Sequence, residues 1–230
     1  MEYKLFEEKA GVTFNDHAIL KQAFTHRSYI NENRESGLSH NERLEFLGDA
    51  VLELIITDYL YKNFPDKTEG ELTSFRSALV NANTLSDVAS KLSMNDFLLL
   101  SKGEAKDTGR ARQYILANTF EAVVGAMYLD GGYDVAKGFL ERNVAPLIGD
   151  IVRDGSWVDA KSKFQEKAQE VEGITPEYKT LKEIGPDHDK KFEVGVYLGK
   201  ELVEKGIGKS KQEAEQEAAK KALEKSKWSK

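Results

Sequence analysis

Between Ile115 and Leu129 the chain carries a single charged residue, Glu121. A helix this apolar belongs in a core, where an ionised carboxylate is costly unless it is paired or bound to metal. Asn118 stands one turn before Glu121 on the same helical face, and Gly125 would let a second helix approach closely. This stretch therefore calls for a partner helix, and for something to balance one buried acid.

A second stretch, Asn41 to Ile55, fits as that partner. Leu44, Leu47, Val51, Leu54 and Ile55 recur at spacings of three and four, the period of a core helix. Glu42, Glu45 and Asp49 follow the same rule, and Glu42 and Asp49 differ by only about 20° around the axis. Like charges that close repel and raise one another's pKa unless a cation joins them. Packed together, the two helices would bring Glu45, Asp49, Asn118 and Glu121 into an all-oxygen cage. Such a donor set suits a hard cation, Mg²⁺ first and Mn²⁺ second. The competing reading is a solvated acidic edge on the first helix and a buried ion pair between Glu121 and Arg43 or Arg112. Spacing alone leaves the two readings even.

The run Glu42-Arg43-Leu44-Glu45-Phe46-Leu47-Gly48-Asp49 resembles the signature of the ribonuclease III family. That family follows it with Leu-Ala-Asp-x-x-Glu-Ala, and Leu116-Ala117-Asn118-Thr119-Phe120-Glu121-Ala122 stands in that place. The resemblance implies Mg²⁺-dependent endonucleolytic hydrolysis of double-stranded RNA, with Mn²⁺ as substitute cation. It also implies a cytoplasmic homodimer with signature helices packed across a twofold axis, processing ribosomal-RNA precursors and messengers. Asp49 and Glu121 would be catalytic. The metal would lie among Glu45, Asp49, Asn118 and Glu121, where it would activate water for in-line attack and stabilise the departing 3′ oxygen. Glu42 would support the site from outside it.

Position 118 departs from the family's usual residue, which is Asp. An amide oxygen can ligate Mg²⁺, but without charge and without accepting a proton. Weaker metal binding and slower cleavage are expected, with RNA binding kept. The alternative is a catalytically inactive double-stranded-RNA-binding or regulatory protein.

Elsewhere in the first 153 residues the reading is all helix. Asn15 and Asp16 can cap a helix carrying Ala18, Ile19, Leu20, Ala23 and Phe24. His26, in a Thr-His-x-Ser segment the family shares, reads as a hydrogen-bonded structural histidine rather than a base. The signature helix should run to Phe64, where Pro65 stops it. Glu69, beside Gly70, would sit at the edge of the cleavage site and position water or RNA; its bland reading is an exposed acid at a turn. Phe75, Leu79, Val80, Leu85, Val88, Ala89 and Leu92 continue the core. Residues 101–112 form a basic loop, open to phosphate contact or to plain solvation. Asp130-Gly131-Gly132 should turn tightly into a last helix ending near Arg153.

Residues 154–158 read as a linker, and 159–228 have a different grammar: helix, three strands, helix. Phe164, Ala168 and Val171 should face inward from the first helix. Gly199-Lys200 makes a hairpin turn, and Ser210 with Glu213 forms a capping-box pattern. The order α-β-β-β-α, with Gly185-Pro186-Asp187-His188 and Gly208-Lys209-Ser210-Lys211, resembles a double-stranded-RNA-binding domain. The expected fold class is thus an all-α endonuclease domain followed by a small α+β RNA-binding domain. The resemblance places Ser162, Gln165 and Glu166 in one minor groove and His188 in the next. Lys209 and Lys211 would meet phosphate at a helix N-terminus.

The overall charge of −6 argues weakly against a nucleic-acid partner until it is divided. Residues 155–230 hold 16 Lys against 15 acids, a net of +1, and the remainder carries −7. Zero Cys excludes disulfides, zinc–thiolate sites and thiol catalysis. No apolar span or signal-peptide pattern appears, so neither export nor a membrane partner is expected.

Overall fold

A computed structural model describes residues 3–154, 160–186 and 190–225. The chain divides into two units, residues 1–157 and 158–230. The expected linker at 154–158 falls almost wholly outside the described residues, as does His188.

The first unit is helical. Three short helices, α1 (Lys4–Ala10), α2 (His17–Ala23) and α3 (Arg27–Glu32), precede the signature helix α4 (Glu42–Asn63). Asp16 caps α2 by accepting from the Ala18 N–H at 2.7 Å. His26 caps α3, its Nδ1 lying 3.3 Å from the Ser28 N–H and 2.8 Å from the Ser28 hydroxyl. Burial holds the pKa of His26 below its usual value, so the ring is a neutral structural acceptor. Helix α4 ends one residue before Phe64, with Pro65 beyond.

Helix α5 (Glu69–Leu79) opens on a full capping box, Thr68 with Glu71. The Thr68 N–H, then the Lys67 ammonium, hold the Glu71 carboxyl down to about 2. Helix α6 (Ala82–Lys91) follows, capped by Asn81. The long α7 (Arg110–Asn143) crosses α4 and also packs on α6. Phe75, Leu79, Leu85, Phe120, Val123, Val124 and Phe139 are buried with Leu52, Ile55 and Ile56 in one core. Among the described residues no helix is long and apolar enough to cross a membrane.

Three details of this unit differ from the sequence reading. Leu54, expected in the core, is 59% exposed. The buried arc of α4 runs through Leu44, Gly48, Val51, Leu52, Ile55, Ile56 and Leu60. At 100° per residue Leu54 falls outside that arc, beside Phe46 and Tyr61. The Gly131-Gly132 turn is instead a kink inside α7, at Gly132 with φ 80°. The last helix is broken at residues 144–147, where Pro146 lacks an N–H, and resumes as α8 (Ile148–Asp154).

The second unit contains α9 (Ala160–Glu172), β1 (Glu177–Ile184), β2 (Lys191–Leu198), β3 (Glu201–Gly208) and α10 (Lys211–Lys225). The strands form one antiparallel sheet in the order β1-β2-β3, with Val194 opposite Gly206. Helix α10 packs on β2, β3 and α9, and Phe164, Val196, Ala218 and Ala222 close the core between sheet and helices. A Cβ at Gly206 would stand 2.2 Å from the Ala214 carbonyl, so only glycine lets α10 lie this close to β3. Val171, expected inward, is exposed. It stands in the last turn of α9, just before the chain turns at Gly173 with φ 68°.

Candidate functional site

Two glycines set the site. A Cβ placed on Gly48 would lie 1.8 Å from the carbonyl oxygen of Glu121 and 2.8 Å from the nitrogen of Gly125. A Cβ on Gly125 would lie 2.3 Å from the carbonyl oxygen of Leu44. Helices α4 and α7 therefore touch backbone to backbone, with Glu45 and Asp49 flanking the contact and Glu121 upon it. Sequence reading found Gly125 but gave Gly48 no role; a glycine in mid-helix between core leucines was the available signal.

Glu121 is partly buried, and among the described residues it has no hydrogen bond or ion pair. Its carboxyl is pushed up to about 7, first by burial, then by the charges of Asp49 and Glu45. Burial, then Glu42 and Asp49, raises the carboxyl of Glu45 as well. The ion-pair alternative for Glu121 is not realised. Arg112 spends its guanidinium on the carbonyls of Asp107 and Glu104 and on Asn95 Oδ1, at 2.7–3.1 Å. Arg43 lies on the outward side of α4, near Phe46 and Leu54 in angle.

Asn118 and Asp49 are exposed, one turn or less from the crossing. Among the described residues no three His, Asp or Glu side chains are drawn close enough to grip an ion as they stand. The donor chemistry nevertheless fits a hard divalent cation. It is oxygen only, includes one amide, and leaves a half-buried carboxyl without a protein partner.

Glu42 is turned toward Arg27 at 3.4 Å and His40 at 3.6 Å, beside the cluster rather than in it. Glu69 is exposed in the first turn of α5 and accepts from the Thr73 hydroxyl at 3.2 Å. Arg112 is thus committed to its own surroundings, whereas among the described residues Arg110 meets Tyr114 alone, with Nη2 3.3 Å from its hydroxyl. Tyr114 was given no role by sequence reading, although its i, i+4, i+7 spacing to Asn118 and Glu121 was legible.

In the second unit Ser162, Gln165 and Glu166 are all exposed on α9. Lys209 and Lys211 flank the N-terminus of α10, where Ser210 accepts from the Glu213 N–H at 3.1 Å. The Glu213 carboxylate returns to the Lys209 N–H at 2.8 Å. Lys211 also lies 3.9 Å from Glu183 and 5.7 Å from the ring centroid of Phe192, which fixes its stem over β2.

Known proteins resemble both units. The ribonuclease-III-like family pattern matches residues 16–148, and the double-stranded RNA binding motif matches residues 160–226. Ribonuclease 3 of Pelotomaculum thermopropionicum is 47% identical over 222 residues, 96% of this chain and 92% of that protein. Ribonuclease 3 of Enterococcus faecalis is 46% identical over 217 residues, 94% of either chain. The solved nuclease domain of ribonuclease III from Campylobacter jejuni covers 63% of this chain and 97% of its own, at 35% identity and a TM-score of 0.57. With the signature helix and the Glu121 helix crossed on paired glycines, and an RNA-binding motif following them, the chain belongs to the ribonuclease III family.

Proposed function

We propose that this chain is a divalent-cation-dependent endoribonuclease of double-stranded RNA, acting on duplex segments of ribosomal-RNA precursors and messengers in the cytoplasm. The observation that carries the reading is the half-buried, unpartnered Glu121 carboxyl facing Glu45 and Asp49 across the Gly48–Gly125 contact. Glu45, Asp49, Asn118 and Glu121 would hold Mg²⁺, with Mn²⁺ as substitute. When bound, the ion supplies Lewis acidity at phosphate and a water of lowered pKa. Asp49 and Glu121 would contribute the negative charge that holds it, and the bound cation would relieve the mutual repulsion that raises the Glu121 carboxyl. Glu42 anchors the start of α4 through Arg27 and His40, and Glu69 stands ready to orient water or RNA. Ser162, Gln165, Glu166, Lys209 and Lys211 grip the duplex from the second unit, and His188 belongs to the same surface by resemblance.

Asn118 offers an oxygen without charge, so cation binding and rate are both reduced. The test is cleavage of a labelled RNA duplex in Mg²⁺ at saturating protein, for this chain and Asn118→Asp side by side. The Asp form should cut on the order of 100-fold faster. Equal rates would remove residue 118 from the site. If neither form cuts and both bind duplex RNA in preference to duplex DNA, the inactive RNA-binding reading takes its place, which Asn118 itself favours.

The chain acts as a homodimer in this reading. Phe46, Leu54 and Tyr61, at 83%, 59% and 72% exposure, form an apolar stripe along the outward side of α4. The related Campylobacter jejuni nuclease domain is described as having a region involved in dimer formation. Sedimentation equilibrium should give a dimer for this chain and a monomer for Phe46→Glu, since a charge in the middle of such a contact is left unpaired. A monomer at tens of micromolar for the unaltered chain would sink the assignment.

A further inference from the structure

Arg110, Tyr114, Asn118 and Glu121 fall within about 80° of one another around α7. Tyr114 stands about 10 Å along the axis from Glu121, and Asn118 lies between them. Tyr114 is a large aromatic left 48% exposed at the end of the acidic site. The Arg110 guanidinium lies 5.7 Å from its ring centroid and donates to its hydroxyl. Among the described residues Arg110 has no acidic partner and bonds Tyr114 alone, whereas Arg112 donates to two backbone carbonyls and to Asn95 Oδ1. The face that carries Asn118 and Glu121 thus also holds an uncommitted cation and a hydroxyl, locked to each other.

Their chemistry is complementary to an RNA strand. A guanidinium that gives one N–H to the phenol keeps others for phosphate oxygens. A phenol oxygen that accepts from Arg110 keeps its own O–H to donate outward. Glu45, Asp49 and Glu121 repel phosphate, and Arg110 is the cation on this face of α7 that offsets the repulsion. A-form duplexes present ribose 2′-hydroxyls and phosphates together along the minor groove.

The geometry points to Arg110 and Tyr114 as a paired RNA-backbone clamp. Arg110, about 16 Å along the axis from Glu121, holds a phosphate further along the strand than the one at the carboxylates, and the Tyr114 hydroxyl, between them, bonds a ribose 2′-OH. The clamp rests on the nuclease reading of this site and adds a check for ribose about 10 Å from the carboxylates, separate from the RNA-binding unit.

The test uses the full chain in Ca²⁺, with RNA duplexes that each carry one 2′-deoxynucleotide. For the unaltered chain, one deoxy position should weaken binding about three- to tenfold. Tyr114→Phe should lose a similar factor on all-ribose RNA and become indifferent at that position alone. Arg110→Ala should lower the salt slope of binding by about one. Full deoxy sensitivity in Tyr114→Phe, no sensitive position in the unaltered chain, or an unchanged slope in Arg110→Ala overturns the clamp. So does a shift in oligomeric state of Tyr114→Phe with RNA binding unmoved, which would assign this face to a second copy. Deoxy sensitivity without cleavage by Asn118→Asp would overturn the nuclease reading and leave the clamp; cleavage without deoxy sensitivity would do the reverse.

Discussion

Placed on Asn118→Asp, Glu121→Gln should reduce duplex cleavage on the order of a thousand-fold while making the metal-free helical unit more stable above pH 7. The two effects have one cause. Glu121 is half-buried and faces Asp49 and Glu45, and its carboxyl sits at about 7 instead of the usual carboxylate range. Between about pH 4.5 and 7 the folded chain therefore holds a proton that the unfolded chain has released. Stability falls through that window as pH rises, and stays low above it. A fully buried carboxyl moved that far would cost about 3 kcal/mol. Solvent reaches part of this one and screens it, so about 1 kcal/mol is the expected gain from the neutral amide. Urea melts in EDTA should show that gain at pH 8 and little of it at pH 4.5. Cleavage goes the other way, because the amide neither charges the cation site nor accepts a proton. A variant less stable than its parent at pH 8, or stabilised equally at both pH values, would mean that Glu121 has a partner which relieves it.

The sequence made the chemistry of the site more legible than its geometry. Spacing placed Glu45 and Asp49 on one helix face, and the apolar setting of Glu121 marked it as a buried acid needing balance. Two motifs in order then carried the family. The choice between a cation site and an ion pair could not be read from spacing, since it depends on where arginines fold. Arg112 is committed to the carbonyls of Asp107 and Glu104 and to Asn95 Oδ1, a commitment set by the folded backbone that side-chain patterns do not encode. Leu54 was misplaced for a related reason. An apolar residue at helical spacing reads as core, yet the arc that α7 covers on α4 is centred near Gly48 and Ile55, and Leu54 lies beyond its edge. Periodicity cannot separate the exposed stripe of Phe46, Leu54 and Tyr61, the surface proposed for a second copy, from an interior one. In the second unit the order helix, three strands, helix was legible because the Gly199-Lys200 turn, with Gly199 at φ 60°, obeys local rules.

Gly48→Ala should unfold the helical unit or loosen it by roughly 3 kcal/mol, and abolish cleavage by Asn118→Asp, without altering any group proposed to hold the cation. The added methyl would fall 1.8 Å from the Glu121 carbonyl oxygen and 2.6 Å from its carbon. Those atoms are backbone inside a helix, so no rotamer change relieves the clash, and the two axes must separate. Overpacking of that kind typically costs 1–3 kcal/mol or somewhat more. Because the acids ride on the two helices, separation also moves Glu45 and Asp49 away from Glu121, and catalytic groups misplaced by about 1 Å lose on the order of 100-fold in rate. Gly70→Ala is the matched control. Gly70 lies in the first turn of α5 with nothing within 4 Å of its would-be Cβ, so alanine there should be neutral or stabilising by up to about 1 kcal/mol. Helix loss followed by circular dichroism would read stability, and duplex-RNA binding would report whether the second unit remains folded. A Gly48→Ala chain that melts like its parent and still cuts as Asn118→Asp would mean that the helices do not meet on these glycines, and the site built on their crossing would have to be redrawn.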